Sequence, residues 1–172
     1  MEFENKVLAK EILSVVYETG KTIGTAESCT AGKIAASIAA VPGASNYFKG
    51  GIISYATEVK TSLLGVSEKT IDEVTVVSEE VACQMVKGAI RSLNVDYAVA
   101  ATGVAGPSGG TPENPVGTIW LACGNSEEQV AVKLTEDNGR DQNISIATHT
   151  ALSLLLDFIR QHEPQPEEEE NA

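Results

Sequence analysis

The run Val95-Asp96-Tyr97-Ala98-Val99-Ala100-Ala101-Thr102-Gly103 is nearly all apolar, without the alternation of a strand that keeps one face wet. It reads as a strand buried on both faces, and such a strand needs a layer of helices on each side. Two shorter runs precede it, "TIGTAE" at 22–27 and "GGIISYA" at 50–56. Between them lie segments of helical period. Residues 4–20 space Val7, Ile12, Leu13, Val16 and Tyr17 at helical intervals and stop at Gly20, a residue suited to a helix end. Residues 29–41 form a small-residue-rich helix that ends at Pro42-Gly43, residues 57–65 a short one closed by Gly65, and residues 78–94 an amphipathic one capped by Ser78. After a Gly- and Pro-rich loop at 103–117, the stretches 118–124 and 128–135 read as a hairpin around Gly124-Asn125-Ser126, and 139–161 as the last helix. This order predicts a single-domain three-layer α/β/α sandwich with a mixed, largely parallel sheet.

At 172 residues and 42% hydrophobic, the chain has enough apolar material for one core. The domain is expected over 1–161, followed by an acidic, disordered tail over 162–172 that holds Glu163, Glu167, Glu168, Glu169 and Glu170. No apolar run approaches the roughly 18 residues of a membrane span, and Met1 to Asn5 lack the basic start of a signal peptide, so a cytoplasmic protein without membrane partners is expected. A net charge of −12 argues against a nucleic-acid partner. The three cysteines, Cys29, Cys83 and Cys123, suggest neither a disulfide framework nor a zinc site, and the last two sit in apolar patterns as core filler.

Ligands of open α/β sheets bind beyond the carboxyl ends of the strands. Ser28 follows the first strand, Tyr55 and Lys60 the second, Thr102 and Gly103 the third. If these strands are neighbours, the groups converge. A serine opening a helix has backbone amides nearby to hold an oxyanion, or it simply caps that helix. As a nucleophile it needs a base. His149 and His162 are poorly placed in sequence for a Ser-His-Asp arrangement, whereas a buried, neutral Lys60 would serve; the competing reading of Lys60 is a solvated helix face. Cys29 is a rival nucleophile. The fifteen-residue loop 103–117 is long for a compact domain, and its glycines would let backbone approach a ligand. Arg140 stands at the start of the last helix as a phosphate partner or as a surface arginine. Glu27 divides equally between a structural role and a functional one, positioning Lys60 or bonding a ribose hydroxyl.

"AESCTAG" at 26–32, "GGIISYATEVK" at 50–60, "ATGVAGPSGG" at 101–110, "PVGT" at 115–118 and the Arg140 helix resemble, in order, the C-terminal domain of the competence/damage-inducible protein CinA. That family includes nicotinamide-nucleotide amidohydrolases. The resemblance implies hydrolysis of nicotinamide mononucleotide to nicotinate mononucleotide and ammonia, with no cofactor and no metal, in a homodimer. It places the nucleophile on Ser28, the base on Lys60 and a further motif residue on Tyr55. It places ligand binding on Thr102, Gly103, Ala105, Gly106 and Arg140; Glu27 and Thr30, beside Ser28, are further candidates for binding the substrate. Two positions depart from the family pattern: Ala31 replaces a glycine, and Ile144 stands where a second arginine often follows the first. The alternatives are a catalytically weak or inactive relative that binds nucleotides, and a hydrolase of another amide.

Overall fold

The computed structural model of the chain describes residues 1–163. Five strands, β1 (Ile23–Glu27), β2 (Phe48–Ile53), β3 (Tyr97–Gly103), β4 (Ile119–Gly124) and β5 (Gln129–Leu134), form one sheet in the order β2-β1-β3-β4-β5. β1 pairs in parallel with β2 and β3, and β4 pairs antiparallel with β3 and β5. Only β4 therefore runs against the others. The expected hairpin is β4-β5, and the expected three-layer, largely parallel sandwich is the observed one.

Both faces of β3 are covered, as its unbroken apolar character required. Period-two alternation sends Tyr97, Val99 and Ala101 into a core with Ile12, Val16, Ile34, Ile38, Leu152 and Leu155. These come from α1 (Glu2–Thr19), α2 (Lys33–Ala39) and α6 (Arg140–His162). Ala98 and Ala100 point the other way, with Ala122, into a core built by α3 (Thr57–Leu64) and α5 (Glu79–Leu93) through Leu64, Met85, Val86 and Ala89. Each fully buried aliphatic side chain contributes about 1.5–3 kcal/mol. Alanines on this second face let α5 sit close to the sheet, and Gly88 lets α3 sit close to α5. A Cβ at Gly88 would fall 2.1 Å from the Leu64 carbonyl oxygen. That close approach sets the height at which α3 presents Lys60.

Several local expectations change in the structure. α1 begins at Glu2 and buries Asn5, Ala9, Ile12, Val15 and Val16, while Val7 and Tyr17 are exposed. The buried stripe uses the small Ala9 and the polar Asn5, which apolar spacing alone passes over. β2 starts at Phe48, two residues early, and ends at Ile53. A helix not expected from the sequence, α4 (Glu68–Val74), is capped by Ser67, whose hydroxyl accepts from Thr70 N–H. Ser78 caps α5 as expected, accepting from Val81 N–H. His162, assigned to the tail, closes α6, and Glu163 accepts a hydrogen bond from the Tyr97 hydroxyl. The remainder of the expected tail, 164–172, lies outside the described residues. No helix among the described residues is long and apolar enough to cross a membrane.

Candidate active site

Ser28 follows the interior strand β1 in a turn, not at the first turn of a helix as expected, because α2 begins only at Lys33. The cause is Glu27. Its carboxylate accepts from Gly32, Ile34 and Ala35 N–H and from the Thr30 hydroxyl, at 2.7 to 3.1 Å. A fully buried carboxylate thus occupies the N-terminal amides of α2, where the helix dipole favours it. Of the two roles open to Glu27, the structural one is observed. It and Thr30, both fully buried, bond each other, and the same carboxylate bonds the α2 amides. The Cys29 and Thr30 amides, by contrast, have no backbone acceptor among the described residues.

Alternation along the chain then points the Ser28 side chain to the opposite face, where α3 delivers Lys60. Lys60 Nζ donates to Ser28 Oγ at 2.9 Å and to the Ser54 carbonyl at 2.7 Å, with the Tyr55 carbonyl at 3.5 Å. Lys60 is 2% exposed and Ser28 8%. Burial holds the Lys60 amine below the usual lysine range, opposed in part by the nearby Cys29 thiol and Glu58. The competing reading of Lys60 as a solvated helix face is excluded. Among the described residues no carboxylate bonds this amine; its acceptors are a hydroxyl and carbonyls. Cys29 is no rival. Its side chain lies in the core and burial pushes its thiol up to about 12. His149 Nδ1 pairs with Asn5 Oδ1, on α1.

Tyr55 reaches Lys60 through its main-chain carbonyl only. Its phenol is 58% exposed and accepts from the Arg140 guanidinium at 3.4 Å. Arg140 also donates to the Gly106 carbonyl at 2.7 Å, so it bridges the loop after β2 to the loop after β3. Thr102 is buried and donates to the Val76 carbonyl at 2.8 Å. Gly103 has no room for a Cβ against Ile119 and Thr118, and Gly106, at φ 85°, would meet Val116 at 2.4 Å. Ala105 is buried, and its carbonyl accepts from Asn143 Nδ2 at 3.1 Å.

Asn143 was not singled out in the sequence, yet it also bonds Asp137 and receives the Asn138 N–H, tying three segments together. Its only signal is its place one turn into the Arg140 helix. Ile144 is 8% exposed within the core, so arginine there would enter apolar surroundings rather than reach a phosphate. Ala31 is exposed, with a left-handed φ of 49°. A cleft of about 660 Å³ lies between α1, α2 and α6, lined by Phe3, Asn5, Lys33 and Ser145, and does not include Ser28.

Fold and site together define an α/β protein with a buried serine and lysine paired at the carboxyl edge of its sheet. The model of the CinA C-terminal domain matches residues 5–159, and the chain belongs to that family. It is 43% identical over 152 residues to the "CinA-like protein" of Leptospira borgpetersenii serovar Hardjo-bovis (strain L550), covering 88% of this chain and 36% of that one. It is 40% identical over 154 residues to the "CinA-like protein" of Gloeobacter violaceus, with the same shares. The chain thus spans about a third of the length of these curated relatives. The crystal structure of competence/damage inducible protein CihA from Agrobacterium tumefaciens superposes with a TM-score of 0.87 at 33% identity, over 90% of this chain and 95% of that one.

Proposed function

We propose that this chain hydrolyses the carboxamide of nicotinamide mononucleotide, releasing ammonia and nicotinate mononucleotide. The observation that carries the reading is the 2.9 Å contact of a buried Lys60 amine with Ser28 Oγ. The reading uses the neutral form of the Lys60 amine, which burial favours; in that form the proton in the contact belongs to the serine. Ser28 Oγ attacks the amide carbon as its proton passes to Nζ. The Cys29 and Thr30 amides, which lack backbone acceptors and lie against the Cys29 sulfur, are the candidates to receive the oxyanion. The Lys60 ammonium then protonates the amide nitrogen, the C–N bond breaks and ammonia leaves. Water hydrolyses the Ser28 ester by the reverse proton path.

Arg140 is the group for the phosphate, since it is exposed and its present acceptors are neutral oxygens. Arg140→Ala is expected to raise KM about 10-fold or more with kcat retained, the worth of one charge-assisted contact. With Ile144 in the core, Arg140 carries this work without the second arginine of the family pattern, which favours hydrolysis of an amide without a phosphate as the second reading. Ammonia release from the nucleotide by purified protein, beside Ser28→Ala, separates the two. Release lost in the variant supports the proposal; no release, with Ser28 still acylated by an activated ester, supports the second reading.

A further inference from the structure

Three buried side-chain oxygens have no hydrogen-bond partner among the described residues: Thr25 Oγ1, Tyr47 Oη and Ser54 Oγ. Buried hydroxyls are ordinarily satisfied, so each calls for an explanation. Tyr47 lies in the core shared by α1, α2 and α6, and Thr25 Oγ1 lies beside Gly51 on the α2 side of the sheet. Ser54 is different because of where the sheet places it.

Glu27 pairs in register with Ile53, and Ser54 N–H donates to the Glu27 carbonyl at 2.8 Å, carrying the ladder one step beyond β2. Ser28 and Ser54 are therefore lateral neighbours at the ends of adjacent parallel strands. The residues before them lie on the α2 side: the Glu27 carboxylate bonds α2, and the Ile53 side chain approaches Gly32. Alternation turns both serines to the other face, where one amine, Lys60 Nζ, bonds Oγ of the first and the carbonyl of the second. Ser54 is fully buried there with both donor and acceptor capacity unspent.

We propose that the Ser54 hydroxyl positions the water that hydrolyses the Ser28 ester, and that it holds the departing ammonia at the same place in the first half-reaction. This inference rests on Ser28 acting as a nucleophile. Water gives one proton to Lys60 Nζ and a hydrogen bond from its other O–H to Ser54 Oγ. Its oxygen bonds the ester carbonyl carbon, the C–Oγ bond of Ser28 breaks, and Lys60 returns the proton to Ser28 Oγ. Lysine ends as it began, and the product is the free acid.

The test uses p-nitrophenyl acetate, whose nitrophenolate leaves on acylation without needing the Ser54 site. The wild type should show a burst of about one nitrophenolate per Ser28, followed by steady turnover. Ser54→Ala should keep the burst and slow the steady phase about 10- to 100-fold, the scale on which misplacing a reactant acts. The acetyl enzyme should accumulate by mass. Ser54→Cys, close in volume and a weak donor and acceptor, should fall between. Because Ser54→Ala removes an unsatisfied buried hydroxyl, its Tm should not fall. Equal burst and steady rates in Ser54→Ala and wild type overturn the proposal, as does an equal loss of both phases. A wild type that releases nitrophenolate no faster than Ser28→Ala strikes instead at Ser28 as nucleophile.

Discussion

Two buried charge-bearing side chains, Glu27 and Lys60, sit on opposite faces of the same strand ends and are treated in opposite ways. Glu27 has four donors around its carboxylate, three of them helix amides that need an acceptor. Lys60 has a serine hydroxyl and carbonyl oxygens, and its burial weakens the charged form. The first arrangement is a closed account of hydrogen bonds. The second leaves a hydroxyl unpaired and an amine ready to exchange its proton. A buried charge held by its donors builds structure, and a buried amine whose charged form is weakened is where chemistry is expected.

The largest effect should come from Lys60→Met, which keeps length and removes the amine. Ammonia release from nicotinamide mononucleotide, or nitrophenolate release from the ester, should fall by about a thousandfold or more, as when one member of a coupled nucleophile and base is lost. Thermal unfolding of the same variant should show no loss of stability at neutral pH. Lowering of the Lys60 pKa on folding means that the unfolded chain binds more protons between that depressed pKa and about 10.5, so stability contributed by this residue rises with pH across that window. The advantage of Lys60→Met over wild type should therefore be greatest below the window and shrink through it. A gap that widens as pH rises would mean that Lys60 is held charged, and the contrast with Glu27 would dissolve.

Glu27→Ala tests the other half. Removing the carboxylate strands the Gly32, Ile34 and Ala35 amides, and at about 1–3 kcal/mol per unsatisfied buried group the loss should be about 3 kcal/mol or more, or about 10 °C in Tm. Loss of substrate affinity at unchanged Tm would instead make Glu27 a ligand and break the comparison. Gly88→Ala should act on both activity and stability, since its methyl must push α3 away from α5 and carry Lys60 with it. A fall of about 1–3 kcal/mol is the usual cost of overpacking, read by denaturant melts beside the burst assay. The smallest effect belongs to Ala31→Gly. Relief of a left-handed alanine should raise stability by about 1 kcal/mol with little change in turnover, because the Ala31 side chain is exposed and its N–H bonds the Ser28 carbonyl rather than Glu27.

Much of this was written in local patterns. An unbroken apolar β3 demanded helices on both sides, Gly20 and Gly65 ended helices where left-handed caps are found, and Ser78 capped α5. Ser28 stood out at the carboxyl end of a buried strand, Lys60 in the segment after the second strand and Arg140 at the start of the last helix. Misreadings came where a residue's role depended on a distant partner. Asn5 is buried because His149 meets it, and Ile144 is apolar because that face of α6 packs on the core. Tyr55 turns outward to Arg140 while its carbonyl turns inward to Lys60.

The sequence by itself determined the layers, since periodicity is a property of neighbours in the chain and burial follows from it. Only the tertiary structure decided which strand ends adjoin, and hence that Ser28, Ser54 and Lys60 share one face while Glu27 is spent on the other. Strand order and register are set by long-range pairing, and the protonation of a lysine is set by what surrounds it. Neither quantity is carried by any short stretch of the chain.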